Sequence, residues 1–205
     1  MNGIFAMDGR LIQYMNRFAD LVLLNLLWFI CCLPIVTIGA STTALYYVTL
    51  KMAGNEEEYV FSSFFRSFKE NLKQSMVIWG MLVLSGVILY FDFYYSSHID
   101  SDFGRMLFIL LTIATFVIVI TGEYVFPVMA FFRNSTKKLV KNAFLLAIAY
   151  LPSTVLLIIV SFLPLLLLLT GNFMIVAFID VVIGVSLSAW INAHIFRRIF
   201  KRYMI

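Results

Sequence analysis

Charge is scarce in this chain. Of its 205 residues 13% are charged and 62% are hydrophobic, with a mean hydropathy of +0.98. A soluble domain is about one quarter charged and about half apolar. The deficit is concentrated. Residues 21–50, between Asp20 and Lys51, carry no formal charge at all (LVLLNLLWFICCLPIVTIGASTTALYYVTL). A small aqueous fold cannot hide that much apolar surface, so the stretch belongs in a bilayer. The length suits one bundle of five or six helices and leaves no room for a separate soluble domain. Residues 1–205 therefore read as a single integral membrane domain, an all-α polytopic transmembrane bundle.

Other absences narrow the function. Cysteine is nearly missing: Cys31 and Cys32 are adjacent inside the apolar run. Neighbouring cysteines are poorly placed for a structural disulfide, and two such ligands do not make a zinc site, so they read as small hydrophobes. No phosphate-binding G-x-x-x-x-G-K-[ST] loop, zinc-binding H-E-x-x-H or nucleophile-bearing G-x-S-x-G occurs. The two histidines, His98 and His194, fall in loops on opposite sides of the expected threading and cannot share a metal. The expectation is a protein that is not an enzyme and takes no cofactor or metal. Net charge is +4, but the basic residues sit beside apolar spans, where they meet lipid headgroups, so nucleic acid is not an expected partner. Residues 1–20 mix Arg10 and Arg17 with Asp8 and Asp20 and do not read as a cleaved signal.

Apolar runs set the expected spans at roughly 18–33, 35–51, 75–91, 106–128, 143–169 and 173–193. Residues 4–18 read as a short interfacial helix leading in. A single straight helix over the first thirty uncharged residues would be about 45 Å long, against a hydrocarbon core of about 30 Å. Pro34 falls near its middle, so either one long kinked span or two short spans folded at Leu33–Pro34 is expected. The small residues of TIGASTTAL suit close helix approach. Pro152 and Pro164 are expected to kink the fifth span.

Lysine and arginine choose the threading. The N-terminal segment has two (Arg10, Arg17), and residues 51–74, 129–142 and the C-terminus have four each. The 92–105 segment has only Arg105, and the link near Gly171 has none. Six spans place all but Arg105 on the inner side; five spans, with the N-terminus outside, export Arg10 and Arg17 as well. Six spans with both termini cytoplasmic is the preferred reading, and five the runner-up. It describes a multi-pass protein of a cell membrane whose first partner is the lipid bilayer.

Between spans two and three lies an amphipathic segment. Phe61, Phe64, Phe65, Phe68 and Leu72 recur at helical spacing, with Arg66, Lys69 and Lys73 on the polar side. Asn55 is the expected N-cap, with Glu58 three residues on. Two compatible readings follow: a helix flat on the inner leaflet, or a partner-docking face made of Phe61, Phe64, Phe65, Arg66, Phe68, Lys69 and Leu72. FFRSFKENLK at 64–73 is echoed by FFRNSTKKLVK at 131–141 and more weakly by IFRRIFKR at 195–202, a possible threefold pseudo-repeat of inner interfacial segments. At the opposite boundary, Phe91, Phe93, Tyr94 and Tyr95 form an aromatic cluster, read as a membrane-interface belt or as a stacking surface for a sugar.

Two acids interrupt apolar runs, Glu123 and Asp180. An ionised carboxylate near the bilayer centre costs roughly 3 kcal/mol on insertion scales, so each must face the bundle interior, pair, or stay protonated. No Lys or Arg lies in a span core to answer them. Asn25, or the hydroxyls of Ser41, Thr42 and Thr43, are candidate partners. An interhelical hydrogen bond and a proton or substrate site both remain open for Asp180, Glu123 and Asn25.

The run CLPIVTIGASTTALYYVTLKM followed by FFRSFKENLKQS, with a late AYLP at Ala149–Pro152, resembles the YesL family of bacterial membrane proteins. The most specific part is Leu33-Pro34-Ile35-Val36-Thr37-Ile38-Gly39 with Thr43-Ala44-Leu45-Tyr46-Tyr47. The resemblance implies an association with carbohydrate ABC importers and with two-component sensors, and it supplies no catalytic residues. Three roles follow as expectations: an accessory subunit touching an ABC permease or ATPase, a small transporter or channel using Asp180, or a modulator of a sugar-responsive sensor kinase. The chain lacks the EAA-type cytoplasmic motif of such permeases, so it is not expected to be the permease.

Overall fold

A computed structural model describes residues 4–56, 59–99, 101–167 and 173–203. The described residues form helices joined by short links: α1 (Ile4–Cys32), α2 (Ile38–Met52), α3 (Val60–Ser96), α4 (Asp102–Phe131), α5 (Thr136–Ala149), α6 (Leu151–Leu167), α7 (Phe173–Ile179) and α8 (Val185–Phe200). A five-residue π-helical turn, Asp180–Gly184, joins α7 to α8. Among the described residues there is no strand, so the all-α expectation holds.

The uncharged opening stretch folds as two helices rather than one kinked span. Pro34 stops α1, and a 3₁₀ turn, Ile35–Thr37, starts the return. The turn satisfies itself: Thr37 Oγ1 donates toward Cys31 O and Pro34 O, both at 2.7 Å, and Thr37 N donates to Pro34 O at 2.9 Å. A turn wrapped in hydrocarbon needs that closure, because lipid offers no hydrogen bonds. Leu33, Ile35 and Val36 project outward from it. Antiparallel return brings Arg17 of α1 to the end of α2, where its guanidinium donates to Met52 O at 2.9 Å. Arg197 of α8 donates to Leu50 O at the same distance. Two arginines that the charge count treats as topology markers thus cap the orphan carbonyls of one helix end.

Small residues let α2 sink among its neighbours. At Gly39 an added Cβ would lie 2.8 Å from Ser75 O and 2.9 Å from Trp79 Cβ, so the first turn of α2 rests on the middle of α3. From Trp79, α3 rises for about another 25 Å to Ser96. The α1–α2 hairpin therefore ends well short of the α3–α4 hairpin.

One expectation, the six-span count, is not confirmed, and two others need correction. By length and apolarity, four described helical segments could cross a membrane: Ile12–Cys32, Val60–Ser96, Asp102–Phe131 and Val176–Tyr203. A fifth is possible if the bent pair α5–α6 counts as one span. The helix in excess of this count is α2, whose 15 residues rise only about 22 Å.

Second, the amphipathic segment is no separate interfacial helix. It runs without a break into the third apolar run as the 37-residue α3, since no Pro or Gly interrupts residues 60–79 and helix propagation adds a hydrogen bond per residue. Its N-cap is Tyr59, not Asn55; Asn55 instead takes a positive φ of 54° in the turn after α2, as a residue just past a helix end does. Glu57 and Glu58 lie outside the described residues.

Third, the fifth apolar run is a corner rather than a kinked helix. α5 and α6 meet at 104°, with Pro152 in the first turn of α6, where its missing N–H costs nothing. Pro164 is absorbed inside α6. The three echoed segments adopt three different structures: mid-helix in α3, a helix end plus extended link before α5, and the end of α8. They are not a structural repeat. The link near Gly171 lies outside the described residues.

The core sits toward the basic end. Phe64, Tyr124, Phe196 and Phe200 are fully buried there, beside small residues Ala44, Ala143 and Ala193. Beyond Trp79 the two long helices α3 and α4 turn apolar side chains outward, among them Leu84, Val87, Ile88, Ile109, Leu110 and Ile113. That surface matches hydrocarbon rather than water.

Candidate functional site

Both intramembrane acids have acquired neighbours, and the neighbours differ in kind. Around Asp180 the active partner is Asn25, which is fully buried. Its amide Nδ2 donates to Asp180 O at 2.9 Å and Val181 O at 2.7 Å, and its Oδ1 accepts from Ser186 N at 2.8 Å. Ser186 Oγ closes the knot by donating to Leu21 O at 2.8 Å. A π-helical turn displaces backbone groups from their usual i, i+4 partners, and one asparagine from α1 collects them. Asn25 and Asp180 do meet, but through backbone. The Asp180 carboxylate folds over Gly184, where an added Cβ would collide with its Oδ1, and its Oδ2 is buried without a partner. Ser41 and Thr43, named as candidate partners, bond their own helix at Thr37 O and Gly39 O instead. Thr42 accepts from Trp28 Nε1 at 3.3 Å.

Glu123 lies on α4 and reaches α6. Ser161 Oγ donates to its Oε1 at 2.5 Å. Asn192 of α8, fully buried, donates from Nδ2 to Ser161 Oγ at 2.7 Å and to Leu157 O at 3.4 Å. The result is a directed chain, amide to hydroxyl to carboxylate, drawn from three helices. Tyr46 of α2 is buried beside Glu123, Ser161 and Asn192. Pro127 lies four residues after Glu123 inside α4, so the Glu123 backbone carbonyl has no amide donor at i+4. Glu123 also lines a cleft of about 270 Å³ whose walls include Trp28, Tyr46, Trp79 and Phe126. No lysine, arginine or histidine lines it. Six helices (α1, α2, α3, α4, α6 and α8) contribute to this cleft, which is why Tyr46, Ser161 and Asn192 carry no signal in the sequence. The one local clue is Pro127, four residues after the acid.

The anticipated docking face is largely turned inward. Phe64 is fully buried, and Phe65 and Phe68 pack against the core beside it. Phe64 and Phe68 stack with centroids 6.2 Å apart. Leu72 is half-buried. Phe61, Arg66 and Lys69 remain exposed, with Arg66 donating to the Tyr47 hydroxyl at 2.8 Å. The aromatic periodicity records how α3 packs on α2. At the far end Phe91, Tyr94 and Tyr95 are exposed, while Phe93 packs edge-on against Phe108 at 5.2 Å. A belt at a membrane interface has this mixture of exposed rings and one anchor.

Cationic segments gather at one end. Arg197 pairs with Glu56 at 3.0 Å and Arg133 with Glu70 at 2.8 Å. Gln74 Nε2 donates to Asn134 O at 2.9 Å, and Phe131 and Phe132 pack against Phe200. The α2–α3 turn, the α4–α5 link and the end of α8 are thereby tied together. Lys69, Lys73, Lys137, Lys138, Lys141, Arg198 and Lys201 are exposed around them. Cys31 and Cys32 are free thiols. Among the described residues no group of three or more His, Cys, Asp or Glu could hold a metal ion.

Comparison with known proteins agrees with the turn and helix at the front of the chain. A family described as a protein of unknown function, DUF624, matches residues 21–93. The chain is 32% identical to the uncharacterised protein YteU of Bacillus subtilis (strain 168) over 159 residues, 71% of this chain and 67% of that protein. The chain belongs to this YesL-like family. It is also 28% identical to uncharacterised protein YesL of the same organism over 141 residues, 65% of this chain and 66% of that one. The matches thus span about two thirds of each relative's length. No solved structure matches the chain significantly. The stretch matching DUF624 contains the self-closed Leu33–Thr37 turn, Gly39 and five residues of the cleft: Trp28, Thr42, Leu45, Tyr46 and Trp79.

Proposed function

We propose that this YesL-like chain is a non-enzymatic accessory or regulatory membrane subunit of a bacterial carbohydrate ABC import system. It acts by contact between its cationic end and a permease or ATPase subunit. The observation that supports this reading is the gathering of the α2–α3 turn, the α4–α5 link and the end of α8, with their exposed lysines and arginines, at one end of the bundle. A partner there would meet a fixed charged surface rather than independent loops. The importer association itself comes from the family resemblance. Anionic headgroups would neutralise the rim of the same end.

The proposed threading keeps that end in the cytoplasm, with both termini. In it the α1–α2 hairpin enters and leaves by the inner face, α3 and α4 cross out and back, and the bent α5–α6 pair crosses out so that α7 and α8 can return. The four crossings form two out-and-back pairs, which keeps the termini on one side.

Co-purification from membranes tests the role. A tagged chain solubilised in mild detergent should bring down permease or ATPase subunits, and a photo-cross-linker at Phe61 or Lys69 should label one of them. Recovery of a sensor kinase alone would transfer the role to signalling, and recovery of neither would remove both. For the threading, a cysteine at exposed Ser135 should resist impermeant thiol reagents in sealed cells; Ser67 is buried and would report nothing.

A further inference from the structure

The cleft beside Glu123 lacks a counter-charge. Among the described residues its carboxylate has one protein donor, Ser161, bonded to Oε1. Ser161 has a single hydroxyl proton, and Asn192 occupies its oxygen from behind. The polar chain therefore ends at Glu123, which lines the cleft with no lysine, arginine or histidine beside it. The hydroxyl of Ser188, which also lines the cleft, directs its own proton to Val185 O at 2.9 Å and leaves its lone pairs available. The indole N–H of Trp28 is taken by Thr42, so Trp28 offers the cleft its ring. Trp79 and Phe126, with centroids 6.5 Å apart, and Tyr46 complete an aromatic wall. A carboxylate with no counter-charge among its lining residues, beside aromatic faces and with only the neutral hydroxyls of Thr42, Tyr46, Ser161 and Ser188 around it, matches a ligand that brings both positive charge and N–H groups.

We infer that the Glu123 cleft binds a small organic cation bearing a primary ammonium group, with the ammonium on the Glu123 carboxylate and the apolar body against the aromatic wall. A volume of about 270 Å³ has room for about nine groups the size of a water molecule, at about 30 Å³ each. A neutral hydroxylated ligand could donate to the carboxylate but would leave its charge uncompensated. A quaternary ammonium would suit the rings but bring no donor to the oxygens. The site is distinct from the cationic end and does not depend on a partner there.

Purified protein in detergent micelles, in a Trp190→Phe background so that fluorescence arises from Trp28 and Trp79, can be titrated with butylammonium and with 1-butanol. The expected result is a saturable response to butylammonium and none to 1-butanol. Glu123→Gln, which keeps the hydrogen bond from Ser161 and removes the charge, should weaken binding by about ten-fold or more, equivalent to about 1.4 kcal/mol. Asp180→Asn should leave it unchanged. An unaltered elution profile and melting temperature of Glu123→Gln separates lost binding from lost fold, and Ser161→Ala, which withdraws the hydroxyl that donates to Glu123, should bind at least as tightly as the parent. Equal responses to butylammonium and 1-butanol, undiminished binding by Glu123→Gln, or no saturable response in the parent protein would each overturn the proposal.

Discussion

Asn25 and Glu123 are both polar groups placed among apolar helices, and they have opposite fates. Every amide atom of Asn25 is used: two bonds to the carbonyls of the π-helical turn and one from the Ser186 amide. Both of its amide N–H groups are bonded, and the side chain is fully buried. Glu123 has one protein partner and a cleft in front of it. A buried polar residue whose bonding capacity is exhausted by its own chain holds the chain together. One whose capacity is left facing a cavity is available to something else. Asp180 belongs to the first region only by its backbone, since its carboxylate does no bonding across helices.

Substitutions can break or sharpen this contrast, and the largest effect belongs to Asn25. Asn25→Leu leaves two carbonyls and one amide of α7–α8 without partners in a dry interior, at a cost of about 3 kcal/mol or more. Unfolding in mixed micelles followed by helical circular dichroism should show it; a loss under about 1 kcal/mol would mean the knot is decorative. Asn192→Leu comes next. It removes the donors to Ser161 and Leu157, but also removes Oδ1, which is buried without a partner, so the two effects offset and about 1 kcal/mol should be lost. The same unfolding measurement checks it, and a loss as large as that of Asn25→Leu would erase the distinction between the two regions. Gly184→Ala should change stability by less than about 1 kcal/mol. Only the flexible end of Asp180 must move, and alanine favours the helix that follows. A severe loss there would show the Asp180 carboxylate to be part of the knot. Smallest of all is Glu123→Gln, expected within about 0.5 kcal/mol of the parent because Ser161 can still donate to the amide oxygen. A thermal shift of several degrees would place Glu123 with Asn25, as a structural group.

The same contrast explains what could be read in advance. Glu123 and Asp180 stand out in the sequence because a charge inside an apolar run is costly and therefore conspicuous. Their relative importance could not be read, since it depends on what lies across the bundle. Mid-span Asp180 drew the attention, yet the cleft formed at Glu123, because Ser161, Asn192 and Tyr46 come from three other helices and each is unremarkable in its own run. The phenylalanines of α3 were legible as one face of a helix. That the face meets α2 rather than another protein follows from Gly39, which lets α2 approach until its first turn rests on Ser75 and Trp79. Pro34 announced a break, and Thr37 decided that the break would be a closed turn.

Composition alone settled the solvent. Thirty consecutive uncharged residues and the positions of fifteen lysines and arginines dictate a helical membrane protein with one cationic end, because transfer free energy and headgroup electrostatics act on each segment independently of its neighbours. Tertiary structure decided which polar groups would be exhausted and which left open, and which of the apolar runs are long enough to cross. Those outcomes depend on distances between helices remote in the chain, and hydrogen bonds and cavities exist only once the helices have met.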